Sequence, residues 1–219
     1  MSRAVIRDSL SISIAVGTYG AAFGVASIAA GLSVVQTCAL SLLLFSGASQ
    51  FAVAGVIGAG GSALSAIAAS GLLALRNGFY GARMAPLLKV RGLKRILASQ
   101  ITIDESTAIA LAHESKSEAD ARTGFWLTGG GIYLFWNLAT LIGALGANAL
   151  GDPAKWGLDA TIPAAFLGLL WPRLTSASSK VVAVAAVALA LLLTPLLTPG
   201  LPIIACALIP LIVGWRVRS

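Results

Sequence analysis

The sequence predicts an all-α, polytopic integral membrane protein, a single domain over residues 1–219 with about seven transmembrane or re-entrant helical segments. Three observations lead there. From Ser9 to Leu75 the chain has no Asp, Glu, Lys, Arg or His, while Gly, Ala and Ser stay frequent. A span needs ~20 apolar residues to cross ~30 Å of hydrocarbon, so this stretch holds about three segments joined by tight turns. Charged residues make up 11% of the chain and hydrophobic ones 58%, where a soluble domain carries ~25% charge. Further charge-free runs cover Gly124–Gly151, Ala160–Pro172 and Val181–Trp215. Backbone groups in lipid must be satisfied internally, and the ~10-residue alternation of a barrel is absent, so the segments are helices.

In order, apolar segments are expected near residues 10–30, 34–57, 62–82, 124–149, 157–172, 180–198 and 200–215. Gly31-Leu32-Ser33 and Gly58-Ala59-Gly60-Gly61 supply the first two turns, and Thr198-Pro199-Gly200 with Pro202 the last, because Gly and Pro punctuate helices. The first run is too long for a cleavable signal core and has no clear small-x-small cleavage site, so it is expected to remain in the mature protein. Gly17, Gly20 and Gly24 give it one smooth face for close helix contact, either within the chain or with another subunit. Gly31-Leu32-Ser33 followed by Phe45 is echoed, 126 residues on, by Gly157-Leu158-Asp159 followed by Trp171. The echo suggests an inverted repeat with a site between the halves.

The stretch 83–122 differs. It opens with Arg83, Lys89, Arg91, Lys94 and Arg95 and continues through Asp104, Glu105, His113, Glu114, Glu118 and Asp120. A full crossing by residues 96–112 would set an acidic pair at mid-bilayer, at several kcal/mol before any pairing. With the basic loop in the cytoplasm and residues 96–122 either staying on that side or dipping in and returning, Lys116, Arg122, Arg173, Lys180, Arg216 and Arg218 also fall inside and only Lys155 falls outside. A formal charge of +7 is therefore a topology signal rather than a nucleic-acid surface. The amino terminus stays open at this point. Three complete spans would place Arg3 and Arg7 outside, whereas a re-entrant second segment, broken at Ser46-Gly47-Ala48-Ser49, would bring them inside.

That break is the sharpest motif. Phe45-Ser46-Gly47-Ala48-Ser49-Gln50-Phe51 sets two hydroxyls, a helix-weakening Gly and an amide into an apolar run. Unwound backbone at midplane, with a half-helix amino terminus facing an anion, is how many transporters hold a carboxylate. Ser46, Gly47, Ser49 and Gln50 are thus candidate substrate contacts, with close helix packing as the alternative role of Gly47 and Ala48. Asn137, in another charge-free span, is a further one, with an interhelical hydrogen bond as its alternative role. Arg76 is expected either to snorkel or to pair with Asp104 or Glu105. These acids read either as a solvated helix start or, if one of them lines a cavity, as a group placed to take up and release a proton in each cycle.

Several of these motifs resemble the AzlC family: Gly20-Ala21-Ala22-Phe23-Gly24, Gly31-Leu32-Ser33, the Phe-Ser-Gly-Ala-Ser-Gln-Phe run, Leu75-Arg76-Asn77, Thr102-Ile103-Asp104-Glu105, Trp136-Asn137 and Gly157-Leu158-Asp159. The resemblance covers nearly the whole chain in order. It implies the large subunit of a two-component exporter of the branched-chain amino acids Leu, Ile and Val; because an apolar pocket separates substrates by only ~1–3 kcal/mol per methylene, Met is expected to be accepted to some degree as well. The partner it implies is a small membrane subunit of the AzlD type, and the location the bacterial cytoplasmic membrane.

The remaining polar residues are read as structural. Trp126, Trp136, Trp156, Trp171 and Trp215 are expected in an interfacial belt, His113 as a solvated residue, and Cys38 and Cys206 as small core residues. No cofactor or metal is expected, since the chain has one His and no Cys cluster. Gly47-Ala48-Ser49 resembles part of a serine-protease loop, but Gln50 replaces its second Gly and the sole His lies in the charged stretch, so no enzyme is expected. A non-conducting structural subunit is the other alternative.

Overall fold

The computed structural model describes residues 2–151, 155, 157 and 160–218. Trp156, Leu158 and Asp159 lie outside the described residues, as do the side chains of Arg173, Trp215, Arg216 and Arg218. Every regular element among the described residues is helical, as expected.

Helices α1 (Arg3–Gly17) and α2 (Tyr19–Ala29) run almost continuously through Thr18, and α8 (Glu118–Ala149) lies alongside them. The continuous helix of 27 residues and α8 with 32 are each long and apolar enough to cross a membrane. Their contact is backbone to backbone. A Cβ on Gly20 would lie 2.3 Å from the Trp136 carbonyl oxygen, and one on Gly24 equally close to that of Thr140. The smooth face of the first segment is therefore spent inside the chain, where small residues let two helices approach.

The second apolar run is two helices, α3 (Val34–Leu43) and α4 (Gly47–Gly58). At 1.5 Å per residue each covers about half of a bilayer. α5 (Ala63–Leu88) follows and extends past the expected end of its segment. The charged stretch forms α6 (Leu93–Gln100) and α7 (Asp104–Glu114), again short and again separated by a break. After α8 come α9 (Thr161–Leu170), a 3-10 turn at Trp171–Arg173, α10 (Ala177–Leu193), α11 (Leu201–Cys206) and α12 (Leu208–Arg218).

Polar and charged contacts gather at one end of the molecule. His113 Nε2 lies 3.3 Å from Asp8 Oδ2, and Arg83 pairs with Glu114. Lys89 and Arg122 both reach Glu118, and the Ser2 N–H donates to Asp120 at 3.1 Å. The start of α1, the end of α5, the end of α7 and the start of α8 thus share one end. Arg3 and Arg7 lie on the side of the basic loop. At the far end, a Cβ on Gly58 would sit 3.2 Å from Ala30 Cβ, so α4 finishes beside the end of α2. The α3–α4 hairpin therefore enters and leaves from the far end, and α6–α7 enters and leaves from the charged end. This arrangement has the form of the re-entrant alternative, with the amino terminus at the same end as the basic loop.

Two side-chain expectations are corrected. His113 is only 6% exposed and paired with Asp8, because the short α7 packs its inner face on α1 and α8. Trp136 is 5% exposed in the core rather than at an interface, because it sits midway along α8. The 126-residue echo has matching local structure. Gly31 and Gly157 both take positive φ, at 88° and 66°, and a ten-residue helix and then a break follow each of them.

Candidate functional site

The first break, at Leu44–Ser46, leaves the last carbonyls of α3 without helical partners, a costly state in an apolar surrounding. Side chains from three elements answer them. The Gln50 amide nitrogen donates to the Leu44 oxygen at 2.7 Å and to that of Ser41 at 3.4 Å. Gln100, at the end of α6, donates to the Leu42 oxygen at 2.8 Å, and the Tyr133 hydroxyl of α8 reaches the same oxygen at 3.2 Å. Gln50 is held in turn by the Trp136 indole, whose N–H donates to Gln50 Oε1 at 2.8 Å.

The opposite side of the break is left open. The first N–H groups of α4, on Gly47, Ala48 and Ser49, have no intrahelical acceptor, and Ser46 at the N-cap makes no side-chain capping bond. Its residue is 3% exposed and its hydroxyl has no hydrogen-bond partner among the described residues. Ser46, Gly47 and Ala48 line a cavity of about 400 Å³. At ~30 Å³ per water, that admits a small amino acid and several waters.

The second break, before α7, meets the same cavity. Its carbonyls are answered locally, the Thr102 hydroxyl donating to the Ala98 oxygen at 2.6 Å and the Ser106 hydroxyl to that of Ile101 at 2.8 Å. Asp104 and Glu105 occupy the first turn of α7 and line the cavity with Arg76 of α5. Arg76 Nη1 lies 3.4 Å from Asp104 Oδ2, with side chains 30% and 21% exposed. The remaining wall is apolar, with Val16, Phe45, Ile132, Trp136 and Phe166.

Two helix amino termini therefore point at one cavity, each carrying roughly half a positive charge. They are not equivalent. α7 brings two carboxylates to its own first turn, whereas that of α4 has no acid. The cavity is electropositive at Ser46–Ala48 and acidic at Asp104–Glu105, with Arg76 moderating the acidic side.

Of the residues expected at a site, Ser46, Gly47, Arg76, Asp104 and Glu105 come together on this wall. Ser49, Gln50 and Asn137 lie off it. Ser49 is sealed from solvent and donates to the Ser70 oxygen at 3.0 Å, and Gln50 serves the break. Asn137 bonds within its own helix, to the Tyr133 oxygen at 2.7 Å, rather than across helices. Trp136 was missed as a wall residue. Its place in the middle of a long apolar run, not at an end, was the signal that set it apart from a belt.

Residues 11–150 match the family described as AzlC protein. The chain belongs to the AzlC family. The matched region holds both breaks, Arg76 and Trp136, so most of the cavity lies within what defines AzlC proteins; Phe166 of α9 lies outside it. A protein described as an uncharacterized membrane protein from Archaeoglobus fulgidus is 36% identical over 197 residues, covering 88% of this chain and 85% of that one. No solved structure matches. This AzlC chain is an all-α membrane protein.

Proposed function

We propose that this AzlC protein is the multi-pass large subunit of an exporter of branched-chain amino acids in the cytoplasmic membrane, working with a small AzlD-type membrane subunit. The observation that carries the reading is the unequal pair of helix ends. A zwitterion needs donors for its carboxylate and an acid for its ammonium a few ångströms apart. The open N–H groups of Gly47 and Ala48 with the Ser46 hydroxyl supply the first, and Asp104 with Glu105 the second. Val16, Phe45, Ile132 and Trp136 accept an aliphatic side chain. A hydrophobic wall separates substrates by only ~1–3 kcal/mol per methylene, so Leu, Ile, Val and Met share the site.

Transport fits the polar groups better than catalysis does. The serine that resembles a protease nucleophile, Ser49, is engaged with the Ser70 carbonyl, and His113 sits beside Asp8 at the charged end. A scaffold subunit has no use for a buried hydroxyl without a partner at the mouth of a helix. The test is efflux of Leu, Ile and Val from preloaded cells with and without this chain and its small partner. Efflux is expected to need both chains. Full efflux with this chain alone removes the partner, and no effect on any amino acid removes the function.

A further inference from the structure

The contact between Gly47 and Trp136 joins the electropositive and apolar parts of the cavity. A Cβ on Gly47 would lie 3.0 Å from Cη2 of Trp136, and 3.5 and 3.6 Å from Cζ2 and Cζ3. The six-membered edge of the indole thus lies against the first residue of α4, whose N–H is one of the open donors. The ring is fixed from other sides as well. Its N–H is held by Gln50 at 2.8 Å, and it stacks on Phe23 with centroids 6.5 Å apart. Its backbone is clasped by α2, with no room for a Cβ at Gly20. An indole so constrained cannot swing to suit a larger ligand, and close-packed interiors transmit even one added methyl.

We infer that Gly47 and Trp136 act as a pair that determines specificity: Trp136 is the wall that limits side-chain size beside the carboxylate donors, and Gly47 is the small residue that lets the helix end lie against that wall. This rests on the amino acid reading above and goes beyond it by assigning the selectivity among amino acids to one contact. Substrates with short or branched aliphatic side chains fit between the donors and the ring. Aromatic amino acids meet the indole.

The experiment measures efflux of Val, Leu, Met and Phe from preloaded cells expressing the chain with its partner subunit. The wild type is compared with Gly47→Ala, Trp136→Phe and the double variant, with membrane content measured in each. Trp136→Phe is expected to raise the Phe-to-Leu ratio about tenfold, as a smaller ring enlarges the wall. Gly47→Ala is expected to lower Leu relative to Val, because its methyl, 3.0 Å from Cη2 of a ring that cannot retreat, takes up space between the donors and that wall. In the double variant the smaller ring vacates the space the methyl takes, and the Leu-to-Val ratio returns toward wild type. Unchanged ratios in active single variants, or strictly additive losses in the double, overturn the pair. If Trp136→Phe does not reach the membrane, the Leu-to-Val ratio in Gly47→Ala decides alone, an unchanged ratio counting against the pair. A wild type that moves none of the four amino acids sinks the transport reading itself, and this inference with it.

Discussion

The Trp136 indole N–H and Gln50 Oε1 meet at 2.8 Å across α8 and α4, and the amide nitrogen of the same Gln50 goes on to the Leu44 carbonyl at 2.7 Å. One glutamine thereby satisfies the unwound backbone and fixes the ring that walls the cavity. Gln50→Leu keeps much of the volume but orphans an indole N–H and weakens the hold on two carbonyls, at ~1–3 kcal/mol for each group left buried and unmet. The expected outcome is a Tm several degrees lower in detergent, together with weaker transport. An unchanged Tm would mean that the break does not depend on this glutamine.

The existence of this break was legible in the sequence because Ser46, Gly47 and Gln50 interrupt an apolar run. What Gln50 does was not legible. Its partners are a carbonyl six residues away and an indole on α8, and no local pattern encodes a contact 86 residues distant. The same reason hid the capping of Leu42 by Gln100 and Tyr133. Asp104 and Glu105 stood out as acids too costly to place at midplane, and the structure shows how the cost is limited, by a turn that keeps them at the cavity and by Arg76. Charge alone set the α6–α7 stretch apart from the apolar segments, but its division into two short helices was not legible from charge. His113 misled because a histidine among charges reads as solvated, whereas its burial depends on α1 packing beside it.

Arg76 and Asp104 offer a test of charge at the site. Asp104→Asn removes half of the pair at 3.4 Å and part of the acidic wall, so transport is expected to fall at least tenfold. Much of the accompanying loss of stability should come from leaving Arg76 unmatched in a half-buried position. Adding Arg76→Gln is expected to restore Tm without restoring transport. Recovery of efflux in that double variant would show that the acid serves only the arginine.

Topology is open to direct labelling. The Ser2–Asp120 and Lys89–Glu118 bonds put the amino terminus and the loop after α7 at one end, and the positive-inside rule puts that end in the cytoplasm. Cysteines introduced singly at Ser2 and Lys116, in a chain with Cys38 and Cys206 replaced by Ala, are expected to react only with reagents that enter the cell. A cysteine at Gly60, beyond α4 at the far end, is expected to react from outside. Labelling of positions 2 and 116 from opposite faces would contradict the paired re-entrant hairpins.

Ser46 separates a binding role from a structural one more sharply than any other position. Its hydroxyl is buried at the start of α4 with no partner among the described residues, so it carries a desolvation cost that no group of the described chain offsets. Replacing it by Ala removes that cost, and Tm is expected to stay level or rise slightly, where the loss of a satisfied N-cap serine would cost ~1 kcal/mol. Transport is expected to move the other way. A hydrogen bond to a charged carboxylate is worth ~1.5–3 kcal/mol, which makes binding about tenfold weaker or more. Efflux of Leu measured against concentration, alongside a melting curve of the same variant, reads both effects. A fall in Tm with unchanged efflux would make Ser46 an ordinary cap and move the carboxylate away from α4.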